Sequence, residues 1–215
     1  MKTVKDIKDL KGKKVLVRVD WSVPMPDGHI INDYQIKATI STLDYLKSAG
    51  AEVIVTTHLE STKDSIETLR PYLPKGVKIL PNLREDSGEK DNDEKFAKKL
   101  AGKADIFVNE AFSESHREYA SIVGVPKLLP SFAGLRFTKE IQELSKAFYP
   151  KKPFLFILGG AKFDTKLPLL EKFIDIADDI FVGGALANNF FKESGDDVGN
   201  SLVSGVDFKL GKLLK

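Results

Sequence analysis

The sequence predicts an α/β fold: a three-layer parallel sheet with helices on both faces, followed by a second, incomplete lobe. Three observations point there. Short apolar segments alternate with segments of helical periodicity, the βαβα order that builds parallel sheets. Those apolar segments are apolar throughout rather than at every second residue, as strands covered on both faces require. Polar and charged residues collect at their carboxyl ends, where ligands bind in such folds.

Lys13 to Asp20, "KKVLVRVD", reads as the first strand. Ile36, Ile40, Leu43 and Leu46 then recur at helical spacing, and Gly50 suits the end of that helix. "AEVIVTTHL" is the second strand. Helices are predicted over Ser65 to Leu73 and Asp93 to Ala101, and strands over Val77 to Pro81 and Ala104 to Asn109. "VGVPKLLPSFAGLRF", with Pro126, Pro130 and Gly134, reads as a loop. A connecting helix follows, with Ile141, Leu144 and Ala147 or Phe148 on one face. Pro150 and Pro153 bracket the strand "PFLFILGG". Helix Lys166 to Ala177, strand "DDIFVGG" and helix Ala185 to Glu193 complete the pass. The expected organisation is a first lobe over 1–135, a connecting helix over 136–151 and a smaller second lobe over 152–215.

Composition excludes several classes. The formal net charge of +2 argues against nucleic-acid binding driven by bulk charge. With no cysteine there is no disulfide, thiolate metal site or cysteine nucleophile. The charged start "MKTVKDIKDLKGKK" lacks the apolar core of a signal peptide. No apolar run approaches the roughly 20 residues that span a bilayer. A cytoplasmic protein is the expectation, with no nucleic acid, no membrane and no protein-bound metal.

At the strand ends stand Arg18, Asp20 and Ser22, then Thr56, Thr57 and His58, then Asn82 and Arg84, then Asn109 and Glu110, followed by His116 and Arg117. Two arginines and a histidine on one rim would form a cationic grip for a phosphorylated or carboxylated small molecule. Taken singly, Arg84 and Arg117 read more readily as surface ion-pair residues and His58 as a strand cap; their shared position at strand ends favours a site. The nonapeptide "LGGAKFDTK" carries Gly159, Gly160, Lys162 and Lys166 at the end of a strand. Glycines let backbone approach anionic oxygens, and a helix N-terminus adds its positive end. The alternative is a tight turn with two solvated lysines.

"KGKKVLVRVDWSVP", "VIVTTHL", "LPNLRE", "VNEAFSESHREYASIVGVP", "LPSFAG", "FILGGAKFDTKLPLLEKF" and "FVGGALANNFF" follow one another in the order of phosphoglycerate kinase. The chain resembles that family from about Lys5 to about Leu202. The resemblance implies two α/β lobes facing each other across a cleft. The first takes 3-phosphoglycerate or 1,3-bisphosphoglycerate, and the second takes Mg-ADP or Mg-ATP, the metal being carried by the nucleotide. It implies a glycolytic phosphotransferase with a carboxyl group as acceptor, a monomer when complete. It places Lys162 at the phosphoryl group in flight and Lys166 at the nucleotide phosphates. Gly159, Gly160, Gly183 and Gly184 belong to the nucleotide side. Asp20, His58, Arg84 and Arg117 match substrate-binding positions.

The departures matter as much. Ser22 stands at the family's asparagine. Glu60 and Ser61 replace its Gly-Arg pair. Gln35 replaces the arginine that stabilises the transferring phosphoryl group. Lys37 lies two residues on, and helix residues two apart do not share a face. The stretch from His58 to Asn82 is shorter than the family's and lacks a helix–strand unit. The second lobe reaches only about two strands and three helices before "VSGVDFKLGKLLK". That is marginal for a core and leaves an open sheet edge. The sequence reads as a truncated frame, a deliberately shortened chain or one half of a split protein, and these three stay open. Two functions follow from the resemblance. One is a divergent kinase. The other is a non-catalytic phosphoglycerate-binding or regulatory homologue, since loss of a positive group at the transferring phosphoryl removes a few powers of ten in rate.

Overall fold

A computed structural model describes residues 1–61 and 64–204. The first strand, β1 (Lys14–Arg18), lies at the middle of a five-stranded parallel sheet. β2 (Glu52–Thr56) and β3 (Lys78–Ile79) continue it on one side. β4 (Ile106–Asn109) and β5 (Ser131–Ala133) continue it on the other, giving the order β3-β2-β1-β4-β5. Register runs Val15↔Val53 and Val15↔Ile106 across the centre.

Side chains alternate across a strand, so an apolar run serves two cores at once. Val15, Val17, Val53, Val55, Ile106 and Val108 face one side. Helix α1 (Tyr34–Ser48) covers them with Ile36, Leu43 and Leu46. Leu16 and Phe107 face the other side, under Phe96, Ala97 and Leu100 of helix α2 (Glu94–Ala101). Asp93 caps α2, accepting from the Phe96 amide at 2.8 Å.

Several elements differ from expectation. Ser65 to Leu73 forms a 3₁₀ helix over Ile66–Tyr72 rather than an α-helix. Pro71 lies inside it and removes an amide donor. β5 was hidden in a segment that reads as a loop, because Pro130 and Gly134 flank a strand of three residues. The other strands are shorter than their apolar runs. Past Arg18 the Val19 amide still donates to the Thr56 carbonyl at 3.0 Å, and at Trp21 a side chain takes over as acceptor, the Trp21 amide donating to Thr57 Oγ1 at 3.0 Å.

The chain divides into two compact units, Met1–Gln142 and a second beginning at Glu143. Helix α3 (Leu135–Ser145) crosses that division, and a 3₁₀ turn over Lys146–Phe148 follows it. The face drawn through Ile141, Leu144 and Phe148 is not a buried stripe: α3 has no buried residue, and Leu144 and Phe148 are exposed.

In the second unit, β6 (Leu155–Gly159) and β7 (Asp179–Gly183) pair in parallel. Helices α4 (Leu167–Phe173) and α5 (Ala185–Glu193) follow them. Leu158, Phe163, Leu170 and Leu186 are its buried core, with Phe156, Ile180 and Val182 packed against it. The opposite face of this sheet presents Leu155, Ile157 and Phe181 at 53%, 66% and 60% exposure. The expectation of strands covered on both faces therefore holds for the first sheet only. The second unit is an incomplete layer structure among the described residues.

Candidate functional site

The chain moves outward from β1 through β2 and β3, then returns to the other side of β1 for β4. The switch point of the sheet lies between β1 and β4, where open parallel sheets bind ligands. A cavity of about 330 Å³ opens there. Asp20 follows β1 into it, and Phe112 and Ser113 follow β4. Tyr34, Gln35 and Thr39 reach it from α1, and Arg136 and Glu140 from α3.

Asp20 is buried, which pushes its carboxyl up. The Ser113 and Ser22 hydroxyls and the Ser22 amide more than offset that and hold it below the usual carboxylate range. Ser22 thus supplies both an amide and a hydroxyl donor to Asp20.

Beside the cavity, a polar chain runs through the buried rim. Ser121 donates to Glu89 through its amide at 3.0 Å and its hydroxyl at 2.5 Å. Arg18, fully buried, donates from Nε to the Ser121 hydroxyl and from Nη2 to His58 Nδ1, both at 2.9 Å. A guanidinium has no acceptor, so Nδ1 must be the bare nitrogen of His58. The ring proton then sits on Nε2 and donates to Glu60 Oε1 at 3.3 Å. Burial, then the charges of Arg18 and Arg84, push the His58 pKa down. Glu60 also binds Arg84 Nη1. Arg84 Nε is buried and has no partner among the described residues.

This corrects the expected cationic rim. His58 is a neutral imidazole, because Arg18 is its neighbour. Arg84 is charged but neutralised by Glu60. Arg117 is exposed and makes no ion pair with the described residues, so its charge is free. Ser61 is half-buried beside Glu60, and Gln35 is exposed on the first turn of α1. Lys37 pairs with Asp33 at 2.9 Å rather than standing in for Gln35.

Other strand-end residues serve the backbone. Asn82 Oδ1 accepts from the amides of Leu59 and Arg84 at 3.0 and 3.1 Å. Asn109 accepts from the Ala111 amide at 2.9 Å. Glu110 anchors the N-terminus of α3, accepting from the Arg136 and Phe137 amides at 3.2 and 2.8 Å and from the Thr42 hydroxyl. Burial raises its pKa. A Cβ on Gly134 would lie 2.1 Å from the Glu110 carboxyl, so only glycine fits this approach.

In the second unit the glycines also meet at strand ends. Gly159 and Gly183 are register partners. Gly184 has φ +61°, a left-handed backbone suited to glycine, and precedes α5. The Leu186 amide donates to the Gly160 carbonyl at 3.0 Å. Lys166, half-buried, passes close to Gly160, and Lys162 is exposed. Among the described residues no group of three or more His, Asp or Glu side chains is placed to hold a metal. No described helix is long and apolar enough to cross a membrane.

Tyr34, Phe112, Ser113, Arg136 and Glu140 also line the cavity, and no motif in the sequence marks them as site residues. Arg136 stands where the segment that reads as loop meets the expected connecting helix, and only the return of α3 to the switch point sets it in the same cavity as Gln35.

A parallel α/β unit with a cavity at its switch point, joined to a strand–helix unit with glycines at its strand ends, places the chain in the class of two-unit α/β proteins. The particular family follows from comparison. The family model described as phosphoglycerate kinase matches residues 4–75 and 66–213. Its two matches overlap over residues 66–75, within the stretch between His58 and Asn82. The phosphoglycerate kinase of Fervidobacterium nodosum is 38% identical, with 99% of this chain and 61% of that protein covered. That of Caulobacter vibrioides is 36% identical, with 92% and 58% covered. The structure of phosphoglycerate kinase from Coxiella burnetii superposes with a TM-score of 0.83 at 31% identity, covering 94% of this chain and 59% of that one. The Pyrococcus horikoshii enzyme gives 0.79 at 32% identity, covering 93% and 59%. The chain belongs to the phosphoglycerate kinase family, and it spans about three fifths of the length of these relatives.

Proposed function

We propose that the first unit binds 3-phosphoglycerate or 1,3-bisphosphoglycerate, as part of an enzyme that exchanges a phosphoryl group between 1,3-bisphosphoglycerate and ADP. The observation that carries this is the cavity at the β1–β4 switch point, lined by Asp20 and Gln35, which the resemblance sets at the family's substrate contacts. Asp20, ionised, accepts from the substrate hydroxyl. Arg117 supplies the free cation, Arg84 turns from Glu60 to the incoming anion, and His58 offers only its Nε2 proton. Ser22 and Ser61 complete the substrate side.

The second unit, on this reading, begins the lobe for Mg-ADP or Mg-ATP, with the metal arriving on the nucleotide. Gly159, Gly160, Gly183 and Gly184 give the phosphates access to backbone. Lys166 holds the nucleotide phosphates, and Lys162 neutralises the phosphoryl group as it moves. The functional division is 1–135 for phosphoglycerate, 136–151 as connector and 152–215 for nucleotide. The complete enzyme is a cytoplasmic, glycolytic monomer.

A second reading has a specific observation in its favour. Gln35 removes one cation and Glu60 neutralises another, which suits a non-catalytic phosphoglycerate binder. Calorimetric titration with 3-phosphoglycerate tests what both share. Wild type binds, and Arg117→Ala removes most of the affinity. No heat of binding from wild type refutes both readings.

A further inference from the structure

The cavity at the switch point holds one cation among the described residues lining it, and that cation is Arg136. The resemblance assigns no role to this position. Three observations bear on it.

The root of Arg136 is fixed. It is the second residue of α3, and its amide donates to Glu110 Oε1 at 3.2 Å. The Phe137 amide donates to the same carboxylate at 2.8 Å, and Gly134 lets Glu110 approach. The start of α3 is therefore clamped against β4 and α1, and the side chain leaves from a defined point.

The guanidinium is also aimed. Its central carbon lies 5.9 Å from the centroid of Tyr34, the first residue of α1 and the neighbour of Gln35. Stacking on a ring leaves the planar edge and its N–H donors free to point along the cavity.

Finally, the guanidinium has an exchangeable partner. Glu140, one turn along α3, forms an i,i+4 pair with it, both side chains being a little under a third exposed. Pairs of this kind on a helix surface are weak. The other two acids of the cavity are already committed. Asp20 is held by Ser22 and Ser113, and Glu110 by the α3 amides and Thr42.

We infer that Arg136 is the anion-binding guanidinium of this cavity, exchanging Glu140 for a phosphate or carboxylate of the bound hydroxy acid and supplying from α3 the charge that Gln35 lacks on α1. This rests on the phosphoglycerate reading of the site. It also explains how the cavity can accept an anion despite its acids: the hydroxyl of the ligand meets Asp20, and its anionic end meets the guanidinium.

The test is calorimetric titration of the 215-residue chain with 3-phosphoglycerate, alongside thermal melts. Arg136→Leu weakens binding by about tenfold or more, the loss of one charge-assisted contact. Arg136→Lys recovers only part, since the fork geometry is lost. Glu140→Gln frees the guanidinium, so it tightens binding; a merely structural ion pair would not do this. Gln35→Arg added to Arg136→Leu restores affinity. Should Arg136→Leu prove unfolded, Glu140→Gln decides: unchanged or weaker binding overturns the inference. If Arg136→Leu is folded and binds like wild type while Arg117→Ala does not bind, Arg136 has no such role and the phosphoglycerate reading survives. If wild type itself does not bind, both fall together.

Discussion

Gly134→Ala tests the clamp that places α3 against the first sheet. The glycine is not in a left-handed conformation, so alanine meets no backbone penalty there. The whole effect is contact. The added Cβ would lie 2.1 Å from both Cδ and Oε1 of Glu110 and 2.4 Å from Cγ. No side-chain adjustment of a few tenths of an ångström relieves that overlap, so the carboxylate must leave its place. Glu110 is buried, and it would surrender the Arg136 and Phe137 amides and the Thr42 hydroxyl. Hydrogen bonds to a charged group contribute about 1.5–3 kcal/mol each, and strand β5 and α1 resist the relaxation. A destabilisation of about 3–5 kcal/mol follows, in the upper range for single substitutions. Trp21, the single tryptophan, lies fully buried in the core of the first unit. Its fluorescence in a urea titration therefore reports this unit. The partner experiment is Gly134→Ala in a Glu110→Ala background, where the overlap is gone and the second substitution adds little. A loss below about 1 kcal/mol in the wild-type background would refute the clamp. So would an equal loss in both backgrounds.

The buried histidine gives a pH dependence. The folded pKa of His58 is depressed from the usual 6.5, so the unfolded chain binds the proton first. Stability of the first unit is thus full above pH 6.5 and declines as pH falls below it; His58→Gln flattens that decline in urea titrations between pH 7.5 and 5, and an unchanged slope counts against the neutral ring. Glu60→Gln releases Arg84, and the affinity for 3-phosphoglycerate rises by up to about fivefold, the size of an exposed ion pair; weaker binding would mean Glu60 helps the site. The open face of the β6–β7 sheet binds the dye ANS, and Ile157→Glu with Phe181→Lys removes most of that fluorescence. Dye binding that survives both changes would place the apolar surface elsewhere.

What could be read in advance follows from what kind of signal each residue carries. Val15 to Val17, Val53 to Val55 and Ile106 to Val108 announce strands buried on both faces, because their apolar runs lack alternation. Asp93 announces the start of α2, since an Asx cap before an amphipathic run is a local signal. β5 gave no such signal: three residues between a proline and a glycine resemble any loop. The candidate site divides in the same way. Asp20, His58, Arg84 and Arg117 were legible as types at strand ends, and through the resemblance. Their charge states were not, because these depend on contacts far apart in sequence. Arg18, 40 positions before His58, decides which ring nitrogen carries the proton. Glu60 shows in the sequence only as an added acid; its pairing with Arg84 appears only in the fold. Arg136 was invisible because α3 returns to the switch point only in three dimensions.

The most direct measurement of the central claim is an NMR titration of the ¹⁵N-labelled chain with 3-phosphoglycerate. Saturable amide shifts are expected, confined to the switch-point rim of the first unit: Asp20 to Ser22 after β1, the first turn of α1 around Gln35, Phe112 to Arg117 after β4, and Arg136 at the head of α3. Amides of β3 and of the outer end of α2 stay still. Absence of shifts at millimolar ligand, or shifts centred away from this rim, would contradict it.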